Sequence, residues 1–250
     1  MKILVISDTH SKHNQIPSKY LSNTDGSIDA ILHAGDVSSI GRKHEIVDFL
    51  EWYSKLPFKY KIFCAGNHDF FFDYDWKPYT VAGQIRFGGL YAGLHTKEEV
   101  EETLALYPQV TYLNDTSVEI DGVKIFGSPV TSWFHDWAFN RESNDIIKHW
   151  ALIPSDTNII CTHGPIRGYL DITVNGDYTG CPYLLEKISE LKKLSLICFG
   201  HIHEAHGHFQ FADGALVVNA SVLDHHYSMK NKPYLLDYNK ETNKTNVIQL

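Results

Sequence analysis

Residues 2–10, KILVISDTH, carry an apolar run that ends on three polar residues, Asp8, Thr9 and His10. The run is rich in Val and Ile, which favour β-strands because a branched side chain packs well on a pleated surface. A strand holds its backbone rigidly, so a metal ligand placed just after its end has a fixed direction. Four further apolar runs end in the same way, and they are AILHAG before Asp36, KIFCAG before Asn67, IICT before His163 and LICFG before His201.

The segments between these strands have the periodicity of helices. Apolar side chains recur at helical spacing over residues 42–56, and Thr96 with Glu99 forms a capping box that predicts the start of another helix. Further helices are predicted to begin at Ser143 and at Pro182, the latter with Leu185, Ile188 and Leu191 facing inward. Alternating strands and helices predict a largely parallel sheet with covered faces.

Other segments indicate antiparallel strands. Asp121-Gly122 suits a two-residue hairpin turn between residues 117–120 and 123–126. Near the end of the chain, residues 215–218, 234–238 and 245–250 are predicted to form antiparallel strands. Between these regions the pattern is looser and rich in aromatic residues. We therefore expect one domain over residues 1–250, with an insert at about 70–115 and two sheets with outer helices.

The composition limits the classes of partner. There are 30 acidic residues against 22 basic ones, a net charge of -8 that disfavours binding along long DNA or RNA. A small phosphorylated substrate stays compatible, because bound cations would invert the local field. No apolar run approaches the roughly 18 residues of a membrane helix, and the first run is too short for a signal peptide. The cysteines form no CxxC pair, which favours reduced thiols and a cytosolic location.

The polar residues at the strand ends offer carboxylate, imidazole and amide donors. Such a mixed oxygen and nitrogen set suits manganese first, with iron or zinc as alternatives. The set is larger than one ion can hold while keeping a position open for water. Two divalent cations that share one carboxylate, about 3.5–4 Å apart, would account for it. The candidate ligands are Asp8, His10, Asp36, Asn67, His163, His201 and His203.

The order of these motifs resembles the calcineurin-like metallophosphoesterase superfamily, and most closely its branch of small metallophosphoesterase-domain proteins. The resemblance implies an α/β (α+β) fold, a four-layer αββα sandwich of two mixed sheets flanked by helices. It implies one cation on Asp8, His10 and His203, another on Asn67, His163 and His201, and Asp36 bridging them. The motifs that carry it are Asp8-x-His10, Gly35-Asp36, Gly66-Asn67-His68-Asp69, Thr162-His163-Gly164-Pro165 and Gly200-His201-x-His203.

The resemblance also implies a mechanism. His68 would contact the phosphate and protonate the leaving oxygen, while a hydroxide shared by the two cations attacks phosphorus in line. Bound cations can supply that hydroxide because one zinc already lowers the pKa of water from about 15.7 to about 7. Asp69 is predicted either to orient His68 or a ligand, or to cap its turn. The candidate substrate-binding residues are Asn67, His68, Arg167, Tyr169 and His206.

The substrate is left more open than the chemistry. The branch implies a phosphodiesterase that acts on small cyclic nucleotides, but Ile166 and His206 depart from its pattern beside the site. A phosphomonoesterase or a nuclease for short single strands would use the same cations. A metal-stabilised interaction module without turnover is the remaining alternative. The segment from Trp133 to Trp137 would either stack on a nucleobase or pack an insert onto the core. The metal, the base and the oligomeric state stay open.

Overall fold

The computed structural model describes residues 1–88, 95–212 and 214–248. Its strands, in chain order, are β1 (Lys2–Ile6), β2 (Ala30–Ala34), β3 (Tyr60–Cys64), β4 (Val110–Tyr112), β5 (Thr116–Ile120), β6 (Val123–Ser128), β7 (Thr131–Ser132), β8 (Asn140–Arg141), β9 (Ile159–Thr162), β10 (Leu196–Phe199), β11 (Gly207–Gln210), β12 (Leu216–Asn219), β13 (Tyr234–Asn239) and β14 (Lys244–Ile248). Its α-helices are α1 (Ser18–Leu21), α2 (Lys43–Ser54), α3 (Val81–Gly83), α4 (Lys97–Ala105), α5 (Ser143–Trp150) and α6 (Pro182–Ile188).

Two mixed sheets account for most of these strands. The first has the order β14-β13-β1-β2-β3-β4, and the second has the order β11-β12-β10-β9-β6-β5. Strands β1 to β4 run parallel to one another, as do β6, β9, β10 and β12 in the other sheet. Antiparallel strands lie towards the edges of the sheets. In space, β13 is the antiparallel neighbour of β1, β5 that of β6 and β11 that of β12. Each sheet therefore has a parallel centre.

The packing follows from the alternation of side chains along β1. Ile3 and Val5 point into a core shared by the two sheets, whereas Leu4 and Ile6 point to the outer face of the first sheet. There they pack against α2 through residues such as Phe49. On the other outer face, α5 and α6 cover the second sheet with side chains such as Trp150 and Leu184. The predicted four-layer αββα sandwich is thus confirmed.

Most of the predicted elements are present. The hairpin turn has the positive φ angles that its sequence requires, 47° at Asp121 and 74° at Gly122. The predicted helices begin at Lys43, Lys97, Ser143 and Pro182. In α6, however, the buried leucine is Leu184 rather than Leu185, which is only partly buried.

The strand predicted at residues 215–218 is present, but its pairing with the tail strands was wrong. Strand β12 does not join the antiparallel tail; it lies parallel to β10, and its antiparallel partner is β11, which the sequence analysis did not predict. β11 gave no signal because three of its four side chains are exposed at the sheet edge. Residues 249–250 of the last predicted strand lie outside the described residues, as do 89–94 of the predicted insert. Within the described ranges, no helix has the length and apolarity to cross a bilayer.

Candidate metal centre

The candidate ligands follow the carboxyl ends of parallel strands from both sheets. They come after β1, β2 and β3 of the first sheet and after β9 and β10 of the second. Four of them have left-handed backbone, with φ of 56° at Asp8, 41° at His10, 55° at Asp36 and 69° at His201. Such a conformation costs about 1–3 kcal/mol at a residue other than glycine, and it persists only where the surroundings impose it. A group of them at one edge indicates a functional constraint.

One half of the site is formed by Asp8, His10 and His203. His203 Nε2 lies 3.3 Å from Asp8 Oδ1 and 3.2 Å from His10 Nε2. The Asp8 carboxylate is held in place by Ser221 Oγ, which donates a hydrogen bond of 2.7 Å, and by the backbone N–H of His201 at 3.1 Å. Three donor atoms from two sheets thus face one point.

The other half is joined to the first by Asp36. Asp36 Oδ2 lies 3.5 Å from His10 Nε2 and 3.3 Å from His163 Nε2. Asn67 Oδ1 is 2.9 Å from His163 Nε2, and the imidazole rings of His163 and His201 are 5.1 Å apart. Asp36 therefore reaches both halves, and the structure brings all the predicted ligands together.

Backbone carbonyl groups fix the orientation of two of the candidate ligands. His163 Nδ1 donates to Ala34 O at 2.9 Å, and His203 Nδ1 donates to Asp224 O at 3.1 Å. Because a carbonyl oxygen only accepts, each Nδ1 carries a proton, and each Nε2 is turned towards the centre. Hydrogen bonds of this kind are common behind metal-binding histidines.

Two glycines allow the ligand loops to approach one another. A Cβ atom at Gly66 would overlap the carboxylate of Asp36, and one at Gly200 would overlap the carboxylate of Asp8. A substitution at either position would have to displace the carboxylate. The glycines of the two motifs therefore have a steric role at the site.

The electrostatics favour a bound cation. Burial acts to raise the pKa of Asp8 and Asp36, but the neighbouring histidines hold both below the usual range. Burial lowers the pKa of His10 and of His201 to about 3, so these rings stay neutral. Burial opposes the protonation of His163 as well, yet the Asp36 carboxylate raises its pKa to about 9. Two ionised carboxylates are thus buried beside the neutral rings of His10 and His201, and in the cation-free protein the protonated ring of His163 offsets part of their charge.

These residues fit divalent cations of intermediate softness. Three overlapping groups place their donor atoms within 4.8 Å of one another: Asp8 with His10 and His203, His10 with Asp36 and His68, and Asp8 with Asp36 and His163. Such mixed carboxylate and imidazole sets suit manganese, iron or zinc. His10 Nδ1 is buried without a hydrogen-bond partner among the described residues, which is unfavourable for a purely structural histidine.

His68 lies beside this cluster with its ring fixed on two sides. Its ring stacks on Trp137 at a centroid distance of 4.3 Å, and its Nδ1 donates to Ser39 O at 2.6 Å. The backbone N–H of His68 donates to Asp36 Oδ1 at 2.8 Å. The ring also lines the cavity above the centre, so Nε2 is available to a ligand.

Asp69 makes its contacts elsewhere. Its buried carboxylate accepts hydrogen bonds from the backbone N–H groups of Gly66 at 2.8 Å, Val37 at 3.1 Å and Ser38 at 2.9 Å. Burial, reinforced by the charge of Asp36, raises its pKa to about 6. These bonds tie the loop after β2 to the loop after β3, and within the described part of the chain the Asp69 carboxylate bonds to these loops and not to the His68 ring.

A cavity of about 430 Å³ opens above the centre. Arg167, one of the predicted substrate-binding residues, lines it, and its Nη1 donates to Tyr178 O at 2.8 Å. Tyr169 and His206 are not among the residues that line it. Tyr169 packs against Phe209 and Phe211, while His206 stacks on Tyr234.

The aromatic segment at 133–137 lies partly in the cavity and partly against the core. Trp133 and Phe134 line the cavity with 41% and 50% of their surfaces exposed, whereas Trp137 is half-buried against His68 and Phe70. Tyr178 and Tyr227 are among the cavity residues that sequence reasoning missed. Neither lies in a motif or in a periodic segment, so the sequence carried no signal for them.

Comparisons with known proteins agree with this geometry. The sequence model of the calcineurin-like phosphoesterase family matches residues 1–205. Metallophosphoesterase domain-containing protein 1 of Homo sapiens is 34% identical over 239 residues, which are 94% of this chain and 70% of that protein. A UPF0046 protein of Caenorhabditis elegans is 32% identical over 243 residues, or 97% of this chain and 77% of that one.

Solved structures share the fold at low sequence identity. TT1561 of Thermus thermophilus has a TM-score of 0.60 at 15% identity, covering 98% of this chain and 97% of that chain. A dimetal phosphatase from Danio rerio has a TM-score of 0.52 at 10% identity, covering 94% and 92%. These similarities concern the arrangement of the two sheets and their helices.

Proposed function

This chain belongs to the calcineurin-like phosphoesterase family and is therefore a phosphoester hydrolase; we propose that it hydrolyses phosphodiester bonds of small nucleotides, cyclic nucleotides in particular. One observation carries the proposal. A cluster of two buried carboxylates, three buried histidines and the half-buried His201 reaches the base of a cavity through Asp36, His201 and His203, and exposed aromatic side chains line the outer part of that cavity. With divalent cations bound, the base would suit a phosphate group, and the outer part suits a planar group attached to it.

We assign two divalent cations to the base of this cavity, with manganese as the proposed metal and iron or zinc as alternatives. Asp8, His10 and His203 would hold one cation, Asn67, His163 and His201 the other, and Asp36 both. When bound, such a pair lowers the pKa of water and neutralises charge on phosphoryl oxygens. The contribution of the protein is to keep these ligands ionised or neutral as required and to fix their directions.

His68 is proposed to donate the proton to the leaving oxygen. Because Nδ1–H is bonded to Ser39 O, the doubly protonated ring would donate from Nε2, the atom left facing the cavity, and the ring that remains would keep its proton on Nδ1. The stacked Trp137 ring prevents the imidazole from turning away. Asp69 is proposed to act indirectly, by holding the backbone on both sides of Asp36 and His68 in position.

The aromatic side chains support a nucleotide as substrate. Trp133, Phe134 and Tyr178 are 41%, 50% and 48% exposed, and all three line the cavity. Stacking of a base on an aromatic side chain contributes about 1–3 kcal/mol. Arg167 adds a guanidinium group that can bond a phosphate or a base edge. The volume of about 430 Å³ fits a mononucleotide better than a polymer. The net charge of -8 likewise disfavours long nucleic acids.

We also place the reaction in the cytosol. Cys64, Cys161, Cys181 and Cys198 are free thiols, and all of them are buried. Thiols persist in a reducing compartment.

A substrate panel tests the proposal. The protein is stripped of metal, loaded with manganese, iron or zinc, and assayed with cyclic nucleotides, bis-p-nitrophenyl phosphate and p-nitrophenyl phosphate. We expect the manganese form to cleave the cyclic nucleotides and the synthetic diester faster than the monoester. Preference for the monoester would identify a phosphomonoesterase instead. Cleavage of short single strands without cleavage of cyclic nucleotides would identify a nuclease. No turnover with any metal would leave an interaction module.

A further inference from the structure

A turn at residues 224–230 lies over the metal centre, although it is outside residues 1–205 that match the family. The Asp224 carboxylate organises this turn by accepting hydrogen bonds from the backbone N–H groups of His226 and Ser228, each at 2.9 Å. Lys230 pairs with the same carboxylate at 2.7 Å. The turn is therefore held in one conformation by its own side chains.

The turn is also tied directly to a metal ligand. The backbone carbonyl of Asp224 accepts the hydrogen bond from His203 Nδ1 at 3.1 Å, and the same carbonyl accepts from Tyr227 N at 2.8 Å. Tyr227 has left-handed backbone, with φ of 58°, and Lys12 Nζ donates to its carbonyl at 2.6 Å. The position of Tyr227 is thus coupled to that of His203.

These contacts place the phenol ring on the His10 and His203 side of the centre. The Tyr227 ring lies 4.9 Å from the His10 ring and 5.0 Å from the His203 ring, measured between centroids. The side chain is 43% exposed and lines the cavity. Its backbone carbonyl is bonded to Lys12, but its hydroxyl has no hydrogen-bond partner within the described ranges. A rigidly placed O–H donor thus remains available beside the centre.

We propose that Tyr227 is a substrate-binding residue whose hydroxyl donates a hydrogen bond to a non-bridging phosphoryl oxygen of the bound ester. Asn67 lies beside His163, and the His68 ring lies 4.5 Å from the His10 ring. The Tyr227 ring contacts both His10 and His203, so its hydroxyl adds a donor beside those two rings. The inference depends on the proposed function in one respect, namely that a phosphoryl group binds at this centre. It does not depend on the nucleoside attached to that group.

The test compares Tyr227→Phe, which removes only the hydroxyl, with Tyr79→Phe as a matched control. Tyr79 is 44% exposed, close to the 43% of Tyr227, and it is not among the residues lining this cavity. For each protein we would measure manganese stoichiometry, calorimetric binding of inorganic phosphate to the manganese form, and kcat/KM on bis-p-nitrophenyl phosphate. A hydrogen bond to a charged group predicts a loss of about 10- to 100-fold in Tyr227→Phe.

We expect Tyr227→Phe to take up manganese normally, to bind phosphate more weakly and to lose kcat/KM by a comparable factor, with no change in Tyr79→Phe. Wild-type phosphate affinity and kcat/KM in Tyr227→Phe would overturn the proposal. Loss of manganese would also overturn it, because the tyrosine would then act on the ligands. If the wild type leaves cyclic nucleotides intact while Tyr227→Phe still weakens phosphate binding, only the nucleotide assignment fails.

Discussion

Replacement of Asp69 by asparagine distinguishes a structural role for this residue from a chemical one. The carboxylate is fully buried. One of its oxygens accepts from Val37 N and Gly66 N, and the other accepts from Ser38 N at 2.9 Å and from Ser38 Oγ at 2.5 Å. An asparagine amide can replace only one oxygen as acceptor. The least costly orientation of the amide puts its NH₂ group beside Ser38. The Ser38 hydroxyl can then accept a hydrogen bond from this group instead of donating one, but the Ser38 backbone N–H can only donate and loses its acceptor.

Asp69→Asn should therefore leave one buried backbone donor without a partner. Such a group costs about 1–3 kcal/mol, a large part of a typical free energy of unfolding of about 5–15 kcal/mol. We expect the midpoint of urea unfolding to fall in Asp69→Asn and to fall further in Asp69→Ala, where every donor loses its acceptor. Manganese affinity should fall with it, since the loops that carry Asp36 and Asn67 are the ones released.

The control is Asp237→Asn, because that side chain is 53% exposed and its ion pair with the N-terminus is long, at 3.8 Å. It should unfold like the wild type. The reasoning would be refuted if Asp69→Asn kept the wild-type unfolding midpoint and manganese affinity but lost kcat. That result would assign Asp69 to the chemistry of His68.

Three further predictions concern the centre and its cavity. The pKa of His163 is raised to about 9 in the cation-free protein, so protonation of this ring stabilises the fold. The stabilisation is complete below a pH of about 6.5 and is lost as the pH rises through about 9. Metal uptake needs the neutral ring of His163, so the affinity for manganese should increase between pH 6.5 and 9. Binding should also release protons into a weakly buffered solution. An affinity that does not depend on pH would contradict this assignment. Gly66→Ala should displace Asp36 and weaken manganese binding at least 10-fold in calorimetry, whereas Gly26→Ala, where a Cβ meets nothing within 4 Å, should leave binding unchanged. Trp133→Ala should raise KM for a cyclic nucleotide by about 5- to 100-fold, because stacking of the base is lost. The inhibition constant of inorganic phosphate, which has no base, should stay the same. Equal effects on both constants would exclude a base-stacking role.

The convergence of the candidate ligands could be predicted from sequence because each one lies at or just beyond the end of a short apolar run. Strand β1 has four buried residues in succession before Ser7, and β9 and β10 are buried throughout. A buried parallel strand of this kind gives a strong signal, and it also aims the residue that follows it. The convergence of Asp8, Asp36 and His163 from two sheets is a consequence of the strand order.

Positions in irregular segments could not be predicted in this way. Tyr169 and His206 are near ligands along the chain, but their rings pack on Phe211 and Tyr234 and are not among those lining the cavity. Tyr227 has the opposite relation, since it is far from His10 in sequence and adjacent to it in space. Its place depends on hydrogen bonds of the Asp224 side chain, and no periodic pattern records those.

Strain and buried charge at the centre have a common explanation in cation binding. Left-handed backbone at Asp8, His10, Asp36 and His201 costs about 1–3 kcal/mol at each residue, and the two buried carboxylates lose their hydration. In the cation-free protein, protonated His163 offsets part of the charge of Asp36. A divalent cation offsets more of it, and it binds the folded chain in preference to the unfolded one. The residues that destabilise the fold in the cation-free protein are therefore those through which metal binding would stabilise it. The same geometry would then serve both the stability of the metal-loaded protein and the chemistry of its site.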